Sequence, residues 1–306
     1  MRQVKGIVAL LATVAAAVVL GLAACGLSGH FSAEDAAGYE VSELELHNGD
    51  ATIYGQLYRP SRPREGTPFV VVSHGFGGTC DGTAAYARRF AEAGVACYAF
   101  DFCGGSAHSR SDGDIRDMSV LTEADDLEAV MDGLVDQGYA SAGGICLMGE
   151  SQGGLVSALV AARRPEDVAG LVLFYPALSI PDDARERFGD ATAVPDEVEG
   201  IFGITVGGRY YEDILGLDPF VQIGAYAGPV TIYHGDKDDV VPIGYSQRAA
   251  KTYENAVLHE VSGAAHGFSD GQLDRICAEA ADFMAALYRP RPEVLLVGGF
   301  DLLDLR

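Results

Sequence analysis

Phe69-Val70-Val71-Val72 is an apolar run with no polar face, and similar runs recur at Gly144–Met148, Ala169–Tyr175 and Pro229–His234. A strand of this composition must be covered on both sides, as parallel strands are when helices flank the sheet. Amphipathic stretches with helical spacing lie between the runs, near 82–93, 119–137, 152–163, 245–253 and 273–288. Further strands are expected at 96–102 and 257–261. An opening pair at 39–48 and 51–59 is separated by Asn48-Gly49-Asp50, a strong hairpin signal. The pattern predicts an α/β fold with a mostly parallel twisted sheet and helices on both faces. Residues 178–228 break the rhythm. A structureless loop of that length is unusual in a compact domain, so a mainly helical cap insertion is expected there.

At 306 residues the chain suits one large domain with an insertion. The core domain is expected over 39–288, and 289–306 form a tail beyond the last helix whose Val294–Val297 could add an edge strand. Lys plus Arg number 21 against 44 Asp plus Glu, a net charge of −23. Such a chain repels phosphate backbones and anionic lipid surfaces, which argues against nucleic-acid binding.

The N-terminus reads differently from the rest. Arg2 and Lys5 precede an uncharged stretch from Gly6 to Ala24, the pattern of a secretory signal peptide. Leu22-Ala23-Ala24-Cys25-Gly26 resembles the bacterial lipobox. That resemblance implies removal of 1–24, lipidation of Cys25, a tether over 25–38, and an exported protein anchored outside the cytoplasmic membrane or on its periplasmic side. Membrane attachment is then expected through the lipid alone. Five other cysteines remain. Cys97, Cys146 and Cys277 sit in apolar runs and are expected in the core. Cys80 and Cys103 each follow one of two neighbouring strands, so a disulfide between them is open in an oxidising compartment. No cysteine or histidine spacing suggests zinc.

Gly149-Glu150-Ser151-Gln152-Gly153 has the GxSxG spacing. In a chain with 39 glycines the spacing alone is weak, but its position between an apolar strand and a helix is informative. That turn lifts a serine oxygen clear of the sheet, at a helix N-terminus that favours negative charge. Serine needs a base, and the chain order for this arrangement is Ser, acid, His. His266 follows the last expected strand. Asp238 follows the one before, with Asp236 and Asp239 as rivals. Both positions are strand C-terminal ends, where ligands bind in open parallel sheets. Backbone N–H groups in His74-Gly75-Phe76-Gly77-Gly78 can join that of Gln152 around an oxyanion.

The same residues carry a family resemblance over roughly 39–288. With Phe100-Asp101-Phe102, Met118–Glu123, Asp126 and Ala265-His266-Gly267-Phe268-Ser269, the chain resembles the α/β-hydrolase superfamily. Within it, the chain is similar to bacterial cinnamoyl and feruloyl esterases. The resemblance implies Ser151 as nucleophile, His266 as general base and acid, and Asp238 as the orienting carboxylate. It also implies Phe76 and Gln152 as oxyanion donors, no cofactor, and a cap where 178–228 lie. Glu150 departs from the family, since His is common before the Ser. His74, His234, Asp101 and Asp126 are expected to be structural. The Asp236–Asp239 cluster lacks calcium-loop spacing, so no metal is expected.

Residues 178–228 hold ten acidic side chains, three arginines and six aromatics. That balance disfavours anionic substrates and suits a neutral aromatic or short acyl ester, with Tyr210 and Tyr211 as candidate substrate contacts. The expected reaction is ester hydrolysis through an acyl-Ser intermediate, on hydroxycinnamates or other small neutral esters. The rival enzymes are a monoacylglycerol lipase and a peptidase of the prolyl oligopeptidase type, whose usual large extra domain residues 1–38 do not hold. The rival without chemistry is a surface binding protein on a hydrolase scaffold.

Overall fold

The computed structural model describes residues 38–64 and 66–288. The expected signal peptide over 1–24, Cys25, nearly all of the expected tether and the tail from 289 lie outside the described residues. No helix among the described residues is long and apolar enough to cross a membrane.

The chain opens with an antiparallel hairpin, β1 (Tyr39–Asn48) and β2 (Ala51–Pro60). Its two-residue turn places Gly49 at φ +58°, a left-handed conformation that suits glycine. Alternation follows: β3 (Phe69–Ser73), α1 (Cys80–Glu92), β4 (Ala96–Phe100), α2 (Val120–Asp136), β5 (Ile145–Glu150), α3 (Ser151–Arg163) and β6 (Val168–Phe174). After the insertion come β9 (Pro229–Gly235), α7 (Gly244–Thr252), β10 (Asn255–Val261) and α8 (Asp270–Leu287). The eight-stranded sheet runs β1-β2-β4-β3-β5-β6-β9-β10. β2 is antiparallel to both neighbours, and every pair from β4 to β10 is parallel. This is the α/β-hydrolase fold.

The apolar runs are buried on both faces because successive side chains enter different cores. Val71, Leu147, Leu171 and Leu173 face the core beneath α2, α3 and the insertion. Val70, Val72, Cys146, Met148 and Phe174 face the core beneath α1 and α8. Cys97, Cys146 and Cys277 are buried in that second core, as their apolar surroundings suggested.

Two of the boundary shifts have clear local reasons. β4 stops at Phe100 because buried Asp101 turns its carboxylate to the N–H groups of Cys80 (2.7 Å) and Arg110 (2.8 Å). α8 starts at Asp270, three residues before its apolar spacing begins, because Ser269 and Gln272 form a capping box.

The insertion is less helical than expected. It holds α4 (Ile180–Phe188), α5 (Arg209–Leu215) and α6 (Pro219–Ile223), but also an antiparallel hairpin of β7 (Glu197–Glu199) and β8 (Thr205–Gly207). Strands of three residues are too short to leave a period in the sequence. The cap is tied to the sheet layer where Ser119, the N-cap of α2, donates to Asp213 of α5 at 2.6 Å.

Candidate active site

β5 ends at Glu150 and α3 begins at Ser151, with no residue between them. The reversal forces Ser151 to φ +50°, a strained region for a side chain with a Cβ. It also presses backbone against backbone. A Cβ on Gly149 would stand 2.1 Å from the Gly153 carbonyl oxygen, and one on Gly153 would stand 2.4 Å from that of His74. The two motif glycines are therefore needed for close approach. As the second residue of α3, Gln152 has an N–H without an intrahelical acceptor, beside the serine.

Three non-glycine residues with described structure adopt left-handed backbone: Ser151, Tyr175 and Phe202. All three line one cavity of about 260 Å³, with Gly75, Phe76, Gly78, Glu150 and His266. A larger cavity of about 470 Å³ lies at the N-terminal ends of β3 and β4, lined by Arg62, Arg64 and Tyr288 among others. It is remote from the GxSxG turn, and its lining residues include no histidine.

Ser151 Oγ lies 2.9 Å from His266 Nε2, and His266 Nδ1 lies 2.8 Å from Asp238 Oδ2. The Asp238 carboxylate is fully buried, and its Oδ1 accepts the N–H groups of Val240 and Val241, each at 2.9 Å. Those bonds leave Oδ2 for the rings. Asp236 instead accepts the Gly263 N–H at 2.7 Å, and Asp239 points into solvent. His234 approaches the same Oδ2 at 3.2 Å, donates to the Val241 carbonyl at 2.9 Å, and accepts from Ser246 at 2.7 Å. Burial lowers its pKa, so the buried ring is held neutral. His74 is also buried and lowered. Its Nδ1 donates to the Gly75 carbonyl at 2.8 Å and its Nε2 accepts the Phe102 N–H at 3.2 Å, which ties β3 to the end of β4. Asp126 accepts from Asn48 (2.9 Å) and the Cys103 N–H (2.8 Å).

The cap supplies a contact that sequence reasoning missed. Gln152 Nε2 donates to Glu123 Oε2 at 2.8 Å, and Gln152 Oε1 accepts from the Tyr210 hydroxyl at 2.6 Å. The Tyr210 ring also packs edge-on against Phe76, centroids 5.5 Å apart. Tyr210 is thus committed to the two residues expected as oxyanion donors. Tyr211 packs on Phe188 and Tyr210, and its hydroxyl accepts from Arg187 at 3.1 Å. Tyr210 and Tyr211, expected as substrate contacts, are both buried, and neither is among the residues that line the cavity. Phe202, at the tip between β7 and β8, is the cap residue that lines it. Burial pushes the Glu123 carboxyl up to about 8, and its Oε1 has no hydrogen-bond partner.

Cys80 and Cys103 are both free thiols. The Cys80 sulfur receives Arg110 Nη2 at 3.1 Å, while Cys103 is drawn by its N–H to Asp126, so the two are engaged apart.

In sequence, the family described as serine aminopeptidase, S33, matches residues 65–198. No curated protein matches the chain. Among solved structures, Est1E from Butyrivibrio proteoclasticus with ferulic acid bound is similar at 27% identity and a TM-score of 0.72, covering 80% of this chain and 98% of that one. A second Est1E structure gives 26% and 0.70 at the same coverage. The α/β hydrolase GrgF from Penicillium sp. sh18, at 19% identity and a TM-score of 0.68, covers 81% of this chain and 99% of its own, and shares the fold.

Proposed function

We propose that this α/β-hydrolase is a serine carboxylic-ester hydrolase, with Ser151 as nucleophile, His266 as general base and acid, and Asp238 as its orienting carboxylate. The observation that carries the reading is the continuous line from Ser151 Oγ through His266 to buried Asp238, at 2.9 and 2.8 Å.

The geometry suits two half-reactions. Asp238 holds the Nδ1–H tautomer of His266, which leaves Nε2 free to take the Ser151 proton. Ser151 Oγ then attacks the ester carbonyl. The oxyanion is received by the N–H groups of Phe76 and Gln152. His266 returns the proton to the departing alcohol, and an acyl-Ser151 remains. Water repeats the sequence: His266 deprotonates it, the acyl group leaves as carboxylic acid, and Ser151 recovers its proton.

A cavity of about 260 Å³ favours a small ester, and Phe76, Tyr175 and Phe202 give it aromatic walls. Hydroxycinnamates and short acyl esters are therefore the proposed substrates, a reading to which the likeness to Est1E with bound ferulic acid lends weight. The match to a family described as serine aminopeptidase favours peptide amides as the second reading.

A fluorophosphonate probe and a panel of methyl ferulate, phenyl acetate, monoacylglycerols and aminoacyl amides test both. We expect labelling of Ser151 and fastest turnover of the aromatic or short esters. No labelling would remove the enzyme reading, and faster turnover of amides would replace the esterase with a peptidase.

A further inference from the structure

We propose that Glu150 forms the alcohol-side subsite of this cavity and selects esters whose leaving alcohol carries a cationic ammonium group. The inference rests on the serine-esterase reading and adds a charge requirement to it.

Glu150 lines the cavity beside Ser151, and among the described residues no lysine or arginine lines it. The carboxylate is held rather than loose. Its Oε2 accepts the hydroxyls of Tyr86 at 2.6 Å and Tyr175 at 2.7 Å. Those hydroxyls are also 2.9 Å apart. Burial, reinforced by the neighbouring carboxylate, pushes both tyrosines above their ordinary pKa, so they remain donors. Oε1 has one long contact, the Gly75 N–H at 3.4 Å. A carboxylate oxygen accommodates about two donors, so Oε1 has capacity left for a ligand.

The side of the cavity follows from the same residues. His266 must protonate the departing alcohol, so the alcohol leaves past His266. The Tyr175 ring packs edge-on against the His266 ring, centroids 4.8 Å apart, while its hydroxyl holds Glu150. Tyr175 belongs to the core beneath α1 and α8. Tyr210, Phe76 and the cap belong to the opposite core. Glu150 is therefore linked through Tyr175 to the general acid. The rings of Phe76, Tyr175 and Phe202 line the same cavity as the carboxylate, and aromatic walls are surroundings an ammonium group prefers. The strained backbone of Tyr175, at φ +37°, fits a residue held in place for such a task. A net charge of −23 adds an attractive field for a cation.

The test compares acetylcholine with 3,3-dimethylbutyl acetate, the neutral carbon isostere with the same acyl group, on the full chain. Wild type should show a kcat/KM ratio favouring the cation by about tenfold or more, a ratio that shrinks as salt rises. Glu150→Gln should bring the ratio close to unity, whatever it does to the absolute rates. Equal rates on the two esters in wild type at low salt would overturn the inference, and this arm needs no variant. Turnover of phenyl acetate with neither of the pair hydrolysed would overturn it as well. A preference for glycine esters over acetate esters, with no preference within the pair, would put the charge on the acyl side and overturn the assignment. No turnover of any ester and no fluorophosphonate label would instead remove the esterase reading beneath it.

Discussion

The Tyr210 hydroxyl donates to Gln152 Oε1 at 2.6 Å, from the cap into the residue that follows Ser151. The same tyrosine braces Phe76 with its ring. One cap side chain thus touches both proposed oxyanion donors, and Glu123 holds Gln152 from the other side at 2.8 Å. Docking of the cap thus braces both proposed donors through Tyr210, which is not among the residues that line the cavity.

Tyr210→Phe keeps the ring on Phe76 and deletes the bond to Gln152. Loss of one buried hydrogen bond costs about 1 kcal/mol, so kcat should fall roughly fivefold if that cost appears in the transition state. KM should change little for methyl ferulate and for phenyl acetate alike. A selective rise in KM for the ferulate ester would instead make Tyr210 a substrate contact.

Ser151→Ala should reduce ester hydrolysis by several powers of ten, leaving the residue due to binding and the oxyanion site. Asp238→Asn should cost nearly as much, because an amide at this position can hold the wrong tautomer of His266. Asp236→Asn and Asp239→Asn should be mild by comparison, since one caps a turn and the other is solvated. Steady-state kinetics on phenyl acetate separates the three, and equal losses would remove Asp238 from its proposed role.

The sheet was legible because its strands are apolar on both faces, and Val70 and Val71 bury in opposite cores as such a run requires. The GxSxG turn, His266 and the acidic turn were legible because each follows a strand, and chain order links them. The cap was not. β7 and β8 are three residues each, and Tyr210 sits 58 positions from its partner Gln152. An aromatic side chain in an acidic insertion carries no sign of whether it faces substrate or props another residue. Glu150 stood out only as a departure from the family, and its two tyrosine partners, 64 and 25 residues away, come from α1 and the end of β6.

Cys80 and Cys103 should remain thiols. Burial pushes Cys80 far above the ordinary thiol range and Cys103 up to about 12, so little thiolate exists near neutrality. Iodoacetamide at pH 8 should label both slowly in the native protein and completely in guanidinium. Peptide mapping that recovers a Cys80–Cys103 bridge would contradict the structure.

Lipidation remains a proposal that rests on residues 22–26. Cys25→Ser removes the acylation site, so the chain should be released from membranes or stay unprocessed. Fractionation with a mass measurement decides, and a processed, membrane-bound Cys25→Ser chain would count against the lipobox.

Glu123 gives the fold a pH dependence of definite sign. Burial raises its carboxyl from 4.5 to about 8, while the unfolded chain restores the ordinary value. Below about 4.5 both states are protonated and the group has no effect. Between about 4.5 and 8 the unfolded state releases its proton and the folded state keeps it, so stability falls as pH rises. Above about 8 both states are ionised and the loss levels off. Glu123→Gln removes the titration while its amide oxygen still accepts from Gln152 Nε2. Its Tm should match wild type near pH 4.5 and exceed it increasingly toward pH 8. Asp126, the charged neighbour that contributes to the Glu123 shift, is present in both proteins and cancels in the difference. A wild-type minus variant difference that stays flat from pH 4.5 to 8 would mean the buried carboxyl ionises as it does in water, and that the Gln152 contact is made by a carboxylate throughout.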